Sequence, residues 1–203
     1  MNNPIEIFID GLCVGTRGLN QLSQLELSLT VDAADLIGDA YSLMLRLVRY
    51  IERGTERIVS GETVRQGIWL LRFELEGSTL IAFDYNENTR TFDRGASRTL
   101  ICLRDQQVMC NVVRSSFMPP RLDQKIVVTE GIQELSSFRG IRYAAPEHMS
   151  GWWLLSELYE GPKSPKRVMC IEELLVIRPD LMSFLAIETG MGFFFPFTWR
   201  ESK

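Results

Sequence analysis

The chain has 203 residues, 45% of them hydrophobic and 24% charged, and a formal net charge of −4. That length suits one large domain or two small ones with real cores, and the weak acidic balance leaves no basic footprint for nucleic acid and no polybasic patch for a membrane surface. No apolar run reaches the roughly 20 residues of a membrane span, the opening MNNPIEIFIDGLCVG lacks the regions of a signal peptide, and four scattered cysteines with one histidine make no zinc set, so a cytoplasmic protein without a cofactor is expected.

The first element, IEIFIDG (residues 5–11), alternates apolar and polar side chains and ends in Asp-Gly, which reads as a strand and a turn. LELSLTV (25–31) alternates again and is its expected partner. A helix follows from Asp32, which can cap it with Asp35 three residues on. Leu36, Ile37, Ala40, Met44, Leu47, Val48 and Ile51 form its apolar stripe, and Gly54 stops it. GIWLLRFELEGSTLIAFDYN (67–86) reads as a hairpin turning at Glu76-Gly77-Ser78, with Trp69, Leu71, Phe73 and Leu75 expected on one face beside Ile81, Phe83 and Tyr85. ASRTLICLRDQQVMCNVV (96–113) has a helix's length but a poor stripe.

Pro119-Pro120 can neither continue a helix nor sit inside a sheet. The expected domains are therefore 1–116 and 117–203, an α+β arrangement of two small units, each a mainly antiparallel sheet packed with helices. In the second unit KIVVTEGI, GIRYA, GWWLLSEL and MGFFFPF read as strands. VMCIEELLVI reads as a short helix that must end near Arg178, because the residue before Pro179 leaves the helical region. PDLMSFLAI begins another helix with proline at its N-terminus.

Candidate chemistry is sparse. His148 has no nucleophile elbow anywhere in the chain to serve, so it reads as a polar loop residue beside Glu147. The acidic pairs Glu172-Glu173 and Glu157/Glu160 read first as solvated faces. Arg46, Arg49, Arg53 and Arg57 recur at helical spacing and could line up phosphates, but Glu52 and Glu56 are interleaved and a helix C-terminus favours cations anyway. The adjacent Trp152 and Trp153 point to opposite faces of a strand, so one can be core while the other is exposed or sits at a domain seam; core or seam is the first reading for both, and an interface anchor the other.

Taken together, residues 124–197 make a pattern: Arg142 before a loop containing Pro146, then Ser150-Gly151-Trp152, a short helix, Arg178-Pro179-Asp180-Leu181, and Gly190 leading into an aromatic strand. This resembles the thirty-third family of bacterial polymorphic-toxin immunity proteins. The aromatic strand departs from the family, staying apolar through GFFFPF where a polar or charged residue usually follows. The resemblance implies a cytosolic, non-enzymatic protein that binds and neutralises a cognate toxin or effector of a contact-dependent or type VI secretion system, by occluding its active site or its access to substrate. From this together with the charge, hydropathy and cysteine content above, no cofactor, metal, nucleic acid, membrane or small-molecule partner is expected, and those motif residues are expected to be structural. The rival functions are an adaptor or chaperone for a secreted effector, and a carboxylate-based hydrolase. If the toxin acts on anionic substrates, acidic loops should enter its basic cleft. The toxin-binding candidates are Asp84, Glu87 and Asp93 around the second hairpin arm, Glu157 and Glu160, and Trp153 as an apolar anchor.

Overall fold

Gly11, at φ +57°, turns strand β1 (Glu6–Asp10) back onto β2 (Cys13–Arg17). The computed structural model in which this is seen describes residues 4–54, 57–133 and 137–196; Glu56 of the arginine-rich stretch and Phe197 of the aromatic strand lie outside the described residues. β2 pairs in turn with β3 (Glu26–Thr30), so β1 and β3 flank β2 and do not pair with each other as their alternation predicts. The sequence signal missed β2 because CVGTR is short and centred on a glycine. Gly15 lies where a Cβ would strike the Phe8 ring of the neighbouring strand.

The long helix α1 (Ile37–Glu52) starts after a 3-10 turn at Ala34–Leu36, and no side chain caps it. Asp32 is not its cap; the Asp32 backbone N–H instead donates to Ser97 Oγ at 2.9 Å. Ala40, Leu43, Met44, Leu47, Val48 and Ile51 form the buried stripe, while Ile37 is only half-buried. Gly54, at φ +71°, follows the helix end and donates to the Ile51 carbonyl at 3.0 Å.

Strands β4 (Thr63–Gln66), β5 (Trp69–Glu76), β6 (Thr79–Asn86) and β7 (Thr91–Arg94) complete the first sheet. Its order is β1-β2-β3-β6-β5-β4, with β7 also on β6; β3 and β6 run parallel and the other pairs antiparallel. The β5–β6 hairpin forms as expected, but the expected face of its second arm is corrected. The two-residue Gly77-Ser78 turn sets Glu76 opposite Thr79, Phe73 opposite Ala82 and Leu71 opposite Asp84. Odd residues of β5 therefore share a face with even residues of β6, and Ile81, Phe83 and Tyr85 lie on the other side. Leu71, Phe73, Leu80 and Ala82 join α1 in one core.

The ambiguous segment is helix α2 (Ser97–Val112). Its stripe is poor because apolar residues fall on both sides: Leu100, Cys102, Leu103 and Cys110 are buried, while Ile101, Val108 and Val112 are exposed. The chain divides inside this helix into compact units of residues 1–104 and 105–203, ahead of the joint that the prolines suggest at 116/117. The segment before the prolines is tied into the second unit. Gln106 Nε2 donates to the Met182 carbonyl at 3.0 Å, and Met118 N–H to that of Ala186 at 2.8 Å.

The second unit holds β8 (Lys125–Thr129), β9 (Phe138–Arg142), β10 (Met149–Ser156), β11 (Lys166–Cys170) and β12 (Gly192–Phe195), in the order β11-β8-β10-β9-β12. Only β8 and β10 run parallel. VMCIEELLVI is not one helix: its first three residues belong to β11, and helix α3 is Ile171–Ile177. A capping box makes the switch. The Glu173 carboxylate accepts the Cys170 N–H at 2.7 Å, and this bond holds Glu173 below the usual carboxylate range. One of the two adjacent acids thus builds the helix start. α3 ends before Pro179, as the proline requires, and a 3-10 turn runs over Pro179–Phe184. The fold is α+β with two mainly antiparallel sheets.

Candidate functional site

The second sheet has two different faces, and register assigns every side chain to one of them. On the inner face lie Ile126, Val128, Trp152, Leu154, Phe138 and Phe193, all nearly inaccessible. Trp152 Nε1 donates to the Leu185 carbonyl at 2.9 Å, and the Phe184 ring stacks on Phe193 at 4.5 Å, so the 3-10 turn closes this side.

The motif residues hold this inner structure together. Arg142 is buried with its guanidinium fanned over main-chain carbonyls: Nε donates to Ser150 at 3.1 Å, Nη1 to Ile187 at 2.6 Å, and Nη1 also to Met118. Burial lowers its pKa from the usual arginine value. Ser150 Oγ donates to the Lys125 carbonyl at 2.9 Å. Gly151 has φ +81°, and a Cβ there would overlap the Tyr143 carbonyl oxygen. Arg178 forms a fork on Asp180, at 2.9 and 2.6 Å, donates to the Ile132 carbonyl at 2.7 Å and stacks over Phe138. Gly190 N–H donates to the Arg142 carbonyl, and Pro146 accepts the Met149 N–H in the exposed loop that also carries His148. All of these contacts stay inside the protein.

The outer face is partly open: Val127 and Leu155 on it are buried, and its other apolar side chains are half-buried or exposed. Val168, Val127, Trp153 and Ile141 form one apolar row across β11, β8, β10 and β9. Val168 is 57% exposed, Tyr143 51% and Phe194 42%, and Trp153 is half-buried with its ring edge-on to Tyr143 at 6.3 Å. Trp153 and Leu155 alternate along β10, and Glu157 follows two residues on. A shallow depression of about 270 Å³ at that end is lined by Arg139, Leu155, Glu157, Tyr159 and Phe194, among others. A row of apolar side chains rimmed by Arg139 and Glu157 has the chemistry of a protein-binding surface. Of the residues expected to bind, Trp153 lies on β10 and Glu157 directly follows its end. Glu160 is exposed in the following loop, where Ser164 Oγ accepts its N–H. Sequence reading passed over Ile141, Tyr143, Leu155, Val168 and Phe194; the signal of the first three was the alternation in GIRYA and in the tryptophan strand, while Val168 on β11 and Phe194 on β12 join the face only once the strands are ordered.

The remaining candidates belong to the first unit. Asp84 is corrected from an exposed loop acid to a buried one, only 4% accessible. Its carboxylate accepts Arg98 N–H at 2.9 Å, Thr99 N–H at 3.1 Å and Thr99 Oγ at 2.6 Å, and so anchors the start of α2. Burial dominates these bonds and pushes its pKa up to about 6. Glu87 lies 3.6 Å from Arg98, and Asp93 accepts from Asn86 Nδ2 at 2.7 Å.

No curated protein and no solved structure matches the chain. The C-terminal part of the chain, residues 105–199, which begins where the second compact unit begins and holds this sheet, matches the family model of the Imm33-like domain.

Proposed function

We propose that this protein is an immunity protein of the cytosol that binds a cognate bacterial toxin or effector through the outer face of its C-terminal sheet. Trp153 is the apolar anchor, and Glu157 and Glu160 are acidic neighbours that meet basic groups of the toxin. Neutralisation is steric: the toxin's active site, or the path of its substrate, is covered, and no covalent chemistry by this chain is needed. The observation that carries this reading is the apolar row across four strands of the Imm33-like unit, whose motif residues are spent on internal hydrogen bonds.

The test is co-expression with the toxin-like product of the adjacent gene. The parent chain should restore growth and form a complex on gel filtration. Trp153→Ala should keep the parent's urea midpoint and weaken binding by about 2–4 kcal/mol, the usual cost of removing a central aromatic anchor. Binding without rescue would make the protein an adaptor. Unchanged affinity in Trp153→Ala with Phe194→Ala would place the interface elsewhere.

A further inference from the structure

The first unit carries a groove of about 560 Å³ between the last two turns of α1 and strand β4. Arg46, Arg49, Tyr50 and Arg53 line it from the helix, and Arg65 and Gln66 from the strand; no Asp or Glu is among its described lining residues. All four arginines are exposed, and none makes an ion pair with a described residue. Seven other arginines of the chain do make such pairs, Arg17, Arg72, Arg94, Arg98, Arg104, Arg121 and Arg178, so the lack of close ion pairs here among the described residues is not the general habit of the surface, although Arg46 does feel the charge of Asp39. The strand wall is apolar and neutral on the helix side: Val64 and Gln66 pair with Leu71 and Trp69 on the sheet face that α1 covers, whereas Arg65 pairs with Leu70 and alternates to the other face.

Two further facts select the ligand. β4, which lines the groove, ends the sheet order, pairing with β5 and with no second strand among the described residues, so one edge of its backbone N–H and C=O groups has no strand partner there. Arg46 to Arg53 spans seven residues, about 10 Å of helix axis, which is the length of about three residues of extended chain. Carboxylates at alternate positions of an extended peptide repeat every ~7 Å, close to the ~6 Å between helix residues four apart such as Arg49 and Arg53. Guanidinium groups bind carboxylates and phosphates alike. Only a polypeptide, however, can also satisfy a strand edge, and a chain of net charge −4 is a poor host for a long polyanion.

We infer that this groove binds an acidic, extended peptide segment of a partner protein, which adds to the β4 edge while Arg46, Arg49 and Arg53 hold its carboxylates. The inference rests on the first unit alone and stands whether or not the C-terminal unit binds a toxin.

The experiment is fluorescence anisotropy with the full chain and a labelled nine-residue peptide of alternating Glu and Val, at about 20 mM and about 200 mM salt. The comparison probes are its Gln counterpart, the Glu peptide N-methylated at alternate backbone positions, and an oligothymidylate of equal charge. The Glu peptide should bind and weaken with salt, and the Gln and N-methylated peptides should each lose about tenfold or more. Arg49→Ala with Arg53→Ala should lose about as much. Arg17→Ala, an exposed arginine paired with Glu6 elsewhere in the unit, should not. Circular dichroism melting of each variant confirms that it is folded. Equal binding of Glu and Gln peptides, equal loss in Arg17→Ala, unchanged binding of the N-methylated peptide, or tighter binding of oligothymidylate would each overturn the inference.

Discussion

Arg142 reaches the carbonyl oxygen of Ile187, forty-five residues further along the chain, with a 2.6 Å hydrogen bond inside the C-terminal core. The same side chain donates to Ser150 and Met118, so one guanidinium ties together the strand before the loop, the strand after it, the proline segment and the stretch before Gly190. Arg142→Ala leaves these carbonyls buried without donors and should cost about 3–5 kcal/mol. Arg142→Lys keeps the charge but replaces a planar fork by a single ammonium, and should recover less than half of that loss. Urea unfolding of the two variants measures both values. A full recovery by lysine would mean that charge alone, and not the fan of donors, is what the site requires.

Gly151 can be tested against a glycine of the same backbone type. Gly151→Ala combines positive φ with a Cβ driven into the Tyr143 carbonyl, and should destabilise by about 2–4 kcal/mol. Gly11 also has positive φ, yet its Cβ would meet nothing within 4 Å, so Gly11→Ala should cost only about 1 kcal/mol. Equal urea midpoints for the two variants would remove the steric part of the argument.

Asp84 predicts a pH dependence of opposite sign to that of the usual native carboxylate. Its folded pKa, about 6, lies above the ordinary value of 3.8. Between these values the folded state holds a proton that the unfolded chain has released. The contribution of this group is therefore fully present below about pH 4 and is lost as the pH rises through about 6, by up to ~3 kcal/mol. Asp84→Asn should flatten that part of the stability profile, measured as urea midpoints at about pH 4.5 and about pH 7. A slope shared by variant and parent would locate the titrating group elsewhere.

The acidic binding candidates now separate. Reversing Glu157 and Glu160 to Lys should slow association with the toxin by about tenfold at low salt and less at high salt. Reversing Glu87 and Asp93 should change association little, since both already face Arg98, at 3.6 and 4.0 Å. Stopped-flow association rates at two salt concentrations decide between the pairs; a larger effect at the Glu87 pair would move the interface to the first unit.

Where the fold was legible in the sequence, one local rule dominated. Gly54 ended α1, Pro179 ended α3, and the Gly77-Ser78 turn made a hairpin. The errors came where a distant partner set the outcome. Asp32 has a capping residue's chemistry, but its N–H is taken by Ser97, sixty-five residues away. The face of β6 depends on whether its turn has two residues or three, a difference that apolar content does not reveal because both sides of β6 are covered. VMC looked helical until the Cys170–Glu173 box fixed where the helix starts. The candidate face was half visible: Trp153 stood out as one of two adjacent tryptophans, while Val168 and Ile141 acquire meaning only from strand order. The motif residues were legible because arginine, glycine and proline each have few structural uses, and Arg142, Gly151 and Pro179 are used in those ways.

Helix α2 runs without a break over residues at which the chain changes from one compact unit to the other. Its amide protons form one continuous ladder that answers to two cores. Native-state hydrogen exchange along it would read two opening free energies within sixteen residues. If one unit opens more readily, its half of the ladder loses protection first, and the step across Arg104 and Asp105 measures how far the two stabilities differ. If there is no step, the helix transmits each unit's opening to the other, and the chain unfolds as a single cooperative body.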